Sequence, residues 1–351
     1  MIDPVLIDAA ERVFTDVATF DAVEAAESEG FSAPIWDAVA AMGLPWISIP
    51  EAEGGVGGTL EDAMAVLRIA GRFGAPIPIA ETGVLAGWAL ASAGLELGEG
   101  PLSIVPGQAG NTLHLEGGRL VGQARRVPWA STAAQIVALV DGQIVAVNPA
   151  DAQIEVAANL AGEPRDTVIF EGVTPMQVAP APESVTHWSL RIRGALSRAA
   201  LIAGALEGIV NLTVAYTSER RQFGKAVGSF QSVQNLLVRC GEDAVLVGLA
   251  VDAATRELSR GHGDFEVACA KSLASDAART ASRAAHQAHG AMGMTREYPL
   301  HQLTRRLWSW RAEFDDAAWK RDLGAAVVRF GPDQMYRAIA EGSGSGIELG
   351  S

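Results

Sequence analysis

The sequence predicts an α+β multidomain protein: a helical N-terminal domain, a small β domain in the middle and an antiparallel helical bundle at the C-terminal end. Two observations carry that order. Apolar residues recur at helical spacing up to about residue 100 and again from about 185 to 335. Between those zones the chain changes to short runs of β-branched residues joined by tight turns and punctuated by proline. The expected boundaries are 1–100, 101–184 and 185–335, followed by a glycine- and serine-rich flexible tail over 336–351.

In the first zone Pro34 opens the helix IWDAVAAM and Gly43 closes it. Ala63, Val66, Leu67 and Ile69 mark a second helix over Asp62–Phe73, which ends at Gly74 and Pro76. The uncharged stretch Thr82–Leu95 is too short to span a bilayer and reads as a buried helix. In the middle zone, Asp141-Gly142 lies between two β-branched runs, a strong hairpin signal. In the third zone Phe230, Val233, Leu237, Cys240, Ala244, Val247 and Val251 form one helical stripe. Ser259–Gly263 breaks it, and a second long helix runs from Phe265 to His289, ending at Gly290.

Charge and composition exclude several function classes. With 27 basic and 41 acidic side chains the net charge is −14, so a polyphosphate or an acidic membrane would repel the chain; neither nucleic acid nor membrane is an expected partner. Two cysteines, Cys240 and Cys269, support neither a disulfide framework nor a Cys-rich metal site. His286 and His289 lie three apart on a helix with no third ligand indicated, so no metal is expected. The N-terminus has no basic region followed by an apolar one, and the expectation is a soluble, cytoplasmic protein without a secretory signal.

Two constellations carry possible chemistry. The first is Tyr216–Gly224 with Phe230-Gln231: a long helix is expected to end at Gly224 and another to begin near Ser229. Arg220, Arg221 and Lys225 cluster there in an otherwise acidic chain. Guanidinium groups beside free backbone N–H groups suit phosphate; arginines complementing the dipole at a helix C-terminus are the alternative. The second is Gln287–Pro299, where a helix ends in a glycine-rich turn before another helix near Leu300. The glycines allow a ligand close to the backbone, and a plain helix connection is the alternative.

Together these segments resemble the acyl-CoA dehydrogenase family: Arg220-x-Gln222-Phe223-Gly224, then Phe230-Gln231, then Gln287-x-x-Gly290-x-x-Gly293-x-Thr295-x-Glu297-Tyr298-Pro299. The loop Ile49–Gly55 is similar to that family's N-terminal domain. The resemblance implies FAD at a subunit interface, the C-terminal domain of one chain holding the ADP half of its neighbour's cofactor. It places Arg220 and Gln222 at the pyrophosphate, Phe223 and Gln231 beside the adenosine, and Gln287, Gly290 and Ala291 in a second ADP-contacting segment.

The sequence departs from the family pattern in two places. No Thr-Glu-x-x-x-Gly-Ser-Asp-like segment, which holds the flavin ring, occurs between Pro101 and Trp129; Trp129, Ala130 and Ser131 are a loose substitute for the Trp/Ile-Ser/Thr stretch. The glutamate that removes the α-proton of the acyl-CoA falls on Phe314 when counted from Glu297. Glu313 and Asp315 flank it as weak candidate bases, or as solvated helix acids. The family's other base position falls on Gly194 or Ala195. The resemblance therefore points to the shorter subunit of heteromeric α2β2 steroid-CoA-type enzymes. Such a subunit completes FAD sites with a longer partner, the complex oxidising an acyl-CoA and passing electrons to an electron-transfer flavoprotein. A self-sufficient homo-oligomer and a non-redox scaffold are the rival readings.

Overall fold

A computed structural model describes residues 3–107, 110–314, 316–341 and 349. The chain divides into two compact units. One is built from residues up to Val66 together with Ala75–Gly194, the other from Leu67–Gly74 together with the chain from Ala195 onward.

The first unit begins with helices α1 (Pro4–Val17), α2 (Phe20–Glu29) and α3 (Ala33–Ala41), each started by an Asp, Thr or Ser side chain that accepts from the first turn. Helix α4 spans Leu60–Phe73. The stretch expected as a buried helix is a buried π-helix over Ala80–Gly87 continued by α5 (Trp88–Ser92). Thr82 Oγ1 accepts from the Leu102 N–H at 3.0 Å and so ties this helix to the first strand.

Among the described residues the strands that follow are β1 (Leu102–Ile104), β2 (His114–Glu116), β3 (Arg119–Pro128), β4 (Gln135–Val140), β5 (Gln143–Val147), β6 (Gln153–Glu155), β7 (Arg165–Val173) and β8 (Gln177–Pro180). They form two four-stranded sheets, ordered β1-β4-β5-β8 and β2-β3-β7-β6. Inward residues of β3, β4, β5 and β7, among them Leu120, Ile136, Val145 and Phe170, make one shared core. The Asp141-Gly142 hairpin forms as expected, with Val140 paired to Gln143 and φ of 50° and 75° at the turn. Gly117-Gly118 closes β2–β3 the same way.

Helix α6 (His187–Glu219) leads into the second unit, followed by strands β9 (Arg221–Gln222) and β10 (Lys225–Ala226) and helices α7 (Gln231–Ser259), α8 (Asp264–His289), α9 (Leu300–Trp310) and α10 (Asp316–Glu341). Helix α6 is long and apolar enough to cross a membrane, but 61% of its most apolar window is buried inside the protein, as in a core helix. The stripe expected on α7 faces inward from Cys240 to Val251 and packs on α8, where Cys240 Sγ meets the Ala281 carbonyl. Small residues bring α4 and α6 into backbone contact. A Cβ on Gly204 would lie 1.7 Å from the Arg68 carbonyl oxygen, and one on Gly71 would lie 2.1 Å from that of Leu201. Beside this crossing Glu207 accepts from both Arg68 and Arg72.

Three expectations are corrected. Helix α6 ends at Glu219 rather than Gly224, because Phe223 and Gly224 both take positive φ and turn a two-residue hairpin. Residues 311–314 are not helical, so the idea of a helical acid at Glu313 does not hold; α9 has already ended. Helix α10 continues to Glu341, so residues 336–341 of the expected tail are helical, although the helix breaks at Gly331-Pro332. The rest of that tail, except Leu349, lies outside the described residues.

Candidate nucleotide-facing and acyl-site residues

The first segment is an exposed hairpin. The Arg220 N–H still closes the last turn of α6 on the Tyr216 carbonyl at 2.9 Å, and the Arg220 carbonyl accepts from Val227 at 2.8 Å. Phe223 sits at the tip with φ 52° and is 90% exposed. Phenylalanine is rarely held in this conformation or this degree of exposure. Its ring stands edge-on to Phe230 at 6.2 Å, and the Lys225 ammonium lies 4.3 Å over the Phe230 ring. Arg220, Gln222 and Gln231 are exposed on the same connection.

The second segment starts where α8 stops. Gln287 is exposed in the last turn; Gly290 caps the helix with φ 61° and its N–H donates to the His286 carbonyl. A 3-10 turn over Gly290–Met294 follows, with Ala291 exposed and Met294 78% exposed. Among the described residues, a Cβ at Gly290 or Gly224 would meet nothing within 4 Å, so both glycines leave open space above the backbone there.

The roots of the two segments touch. Tyr216, one turn before Arg220, stacks on His289, the residue before Gly290, at 4.6 Å and 22°. Tyr298, after the second segment, packs on both rings at 5.4 and 5.0 Å, and its hydroxyl donates to the Leu212 carbonyl. His286 Nε2 contacts Thr304 Oγ1, and His289 Nδ1 is directed to the Ala285 carbonyl. Burial holds both imidazoles below the usual histidine range.

At the candidate base, the chain after α9 is fastened rather than open. Lys271 Nζ donates to the Arg311 carbonyl at 2.9 Å, and Ser275 Oγ donates to the same oxygen at 3.2 Å. Phe314 occupies the counted base position with φ 55°, its carbonyl accepting from Trp319 Nε1 at 2.6 Å. Glu313 Oε2 accepts from Arg198 Nε at 2.5 Å. The Arg198 guanidinium also lies 5.5 Å over the Phe314 ring. Asp315 lies outside the described residues. Gly194 and Ala195, the other counted position, are buried and carry no carboxylate. Arg198 belongs to none of the motifs in the sequence. Its signal in the sequence is that it is the single charge between Gly194 and Glu207 in an apolar run.

In the β domain, Trp129 is 2% exposed with φ 60°, its ring edge-on to Phe31 and under the Arg165 guanidinium. Ala130 is fully buried, and the Ser131 N–H is already taken by Asp166 Oδ2 at 2.8 Å.

In this chain a two-sheet β domain is thus followed by a helical unit with two exposed segments. Residues 5–96 match the model of the acyl-CoA dehydrogenase N-terminal domain and residues 192–311 that of the acyl-CoA dehydrogenase C-terminal domain. The chain belongs to the acyl-CoA dehydrogenase family. It is 30% identical over 289 residues to acyl-CoA dehydrogenase FadE34 of Mycobacterium tuberculosis, covering 78% of this chain but 39% of that protein. The chain thus spans about two-fifths of that relative's length. Among solved structures it is similar to the ChsE4-ChsE5 complex from Mycobacterium tuberculosis, with TM-score 0.83 and 21% identity over 93% of this chain and 97% of that one. It is also similar to the Tcur3481-Tcur3483 steroid ACAD, with TM-score 0.80 and 25% identity over 92% and 97%.

Proposed function

We propose that this chain is the partner subunit of a heteromeric FAD-dependent acyl-CoA dehydrogenase, one that supplies ADP-half contacts to a cofactor site without supplying the catalytic base. The observation that carries the reading is the contrast between two regions. The nucleotide-facing segments are exposed and glycine-opened, whereas Phe314 stands at the base position and its neighbour Glu313 is held by a buried arginine. A carboxylate with its lone pairs directed to a guanidinium is a poor proton acceptor for a substrate carbon.

The residues fit the ADP half of FAD and not its ring. Arg220 would pair with the pyrophosphate and Gln222 would hydrogen-bond to it. Phe223 and Gln231 would flank the adenosine, and Gln287, Gly290 and Ala291 would bring backbone close to the nucleotide. The candidate ring segment is unsuited: the Trp129 side chain is buried and the Ser131 N–H is committed to Asp166. When bound, FAD supplies the hydride acceptor of α,β-dehydrogenation; the longer partner would supply the glutamate and the ring site.

The likeness to the steroid ACAD supports a bulky, steroid- or lipid-derived acyl group, and that to the ChsE4-ChsE5 complex supports assembly with a second, different chain, for which α2β2 is the proposed form. Electron-transfer flavoprotein as the acceptor, a cytoplasmic location and the boundaries 1–100, 101–184 and 185–335 belong to the same proposal. The test is flavin per chain by visible absorbance, in the chain purified alone and then with a longer family member. Little flavin alone, rising to one per pair of chains with the partner, is the expected result. One flavin per chain alone would return Glu313 and a homo-oligomer to the front. No flavin in either case would favour a scaffold.

A further inference from the structure

The second nucleotide-facing segment is stapled to α6 at both ends. His289 fixes its start by stacking on Tyr216, and Tyr298 fixes its end through the hydroxyl bond to the Leu212 carbonyl and through both rings. Tyr216 is also the residue whose carbonyl receives the Arg220 N–H, so the same ring pair stands at the root of the first segment. His289 is 3% exposed; its Nδ1 is directed to the Ala285 carbonyl, and its Nε2 is buried with no hydrogen-bond partner among the described residues. A buried nitrogen left without a partner is unfavourable, and a leucine would fill the volume without that cost. What leucine would lack is a flat face, and a flat face sets the angle as well as the distance between two rings.

We propose that Tyr216, His289 and Tyr298 form a clasp that fixes the two nucleotide-facing segments against each other, making Tyr216 and His289 positioning residues for the ADP half of the cofactor. This rests on the reading that the two segments hold that half. Neither ring needs to touch the nucleotide. Tyr216 sets where Arg220 leaves the helix, and His289 sets where Gly290 begins the second segment. The clasp explains how segments about seventy residues apart in sequence act as one site.

The experiment uses the full chain, with its partner where the partner is required for binding, and compares Tyr216→Leu with Tyr216→Phe. Two readouts are taken: ADP affinity by calorimetry and amide hydrogen exchange over residues 290–297. Tyr216→Leu is expected to weaken ADP binding about three- to tenfold, the range an aromatic pair contributes, and to speed exchange across 290–297. Tyr216→Phe is expected to restore both, since it keeps the flat face. A Tyr216→Leu chain that melts earlier but binds ADP as the wild type does, with exchange over 290–297 unchanged, would overturn the clasp. A wild-type chain that binds neither ADP nor FAD, with or without a partner, would overturn the nucleotide reading and this assignment with it. The exchange measurement separates the two failures, because a mechanical link between the segments shows there whether or not a nucleotide binds.

Discussion

Arg198, 2% exposed at its side chain, donates Nε–H to Glu313 Oε2 at 2.5 Å across 115 residues of sequence. The pair takes the one carboxylate flanking the counted base position among the described residues and commits it to structure. An arginine this deeply buried needs such a partner, since an unpaired guanidinium in the interior would cost several kcal/mol.

Removing the acid should therefore damage stability rather than chemistry. Glu313→Ala leaves Arg198 buried without this partner and is expected to cost about 3 kcal/mol in urea unfolding. Glu313→Gln, assembled with the longer partner, is expected to turn over normally per folded complex. A loss of about a hundredfold or more, the scale of a removed general base, would make Glu313 catalytic.

Glycines on the helices should separate into two groups on replacement by alanine. Gly204→Ala places a Cβ 1.7 Å from the Arg68 carbonyl oxygen and forces α4 and α6 apart. It should leave little soluble folded protein, since a main-chain oxygen cannot move aside as a flexible side chain can. Gly241→Ala, on α7 with nothing within 4 Å among the described residues, should raise stability by about 0.5–1 kcal/mol from helix propensity. Circular-dichroism melts of the two variants test the contrast.

Phe223 separates function from stability at a single residue. Phe223→Gly removes a side chain from left-handed backbone and should leave the melting temperature unchanged or raise it. The same change removes an exposed ring from the proposed adenosine contact, so flavin retention should fall. Loss of stability without loss of flavin would place Phe223 in packing rather than binding.

The pH dependence of stability should have two arms. Burial depresses His286 and His289 below 6.5, so their folded forms bind fewer protons than the unfolded chain in acid. Their contribution is present above pH 6.5 and is lost as pH falls through the depressed folded values. The melting temperature should drop between pH 7 and 5, less steeply in His289→Phe. Burial also raises Cys240 from 9.0 to about 11 and Cys269 from 9.0 to about 12. Their contribution is intact below pH 9 and is lost as pH rises through those folded values. Ellman's reagent at pH 8 should accordingly react slowly with the native chain and rapidly after unfolding.

The three two-residue hairpins show why part of the fold was legible and part was not. Gly117-Gly118 and Asp141-Gly142 announce left-handed backbone by residue type, and the structure turns at both. Phe223-Gly224 turns in the same way, but phenylalanine does not signal positive φ, so the sequence pattern carries the helix on to Gly224. Something similar holds after Trp310. Helical periodicity does not reveal that the Arg311 carbonyl is capped from α8 by Lys271 and Ser275, which stops the helix before Glu313.

Local pattern therefore determined the order of helical and β zones, the two exposed segments with their glycines, and the family they belong to. Each of these depends on neighbours within a few turns of the chain, where spacing and residue type are sufficient. Tertiary structure decided that Arg198 meets Glu313, that Tyr216 meets His289, and that Asp166 occupies the Ser131 N–H. Those pairings join residues from 35 to 115 positions apart. They depend on how whole helices and strands pack, which no local spacing encodes.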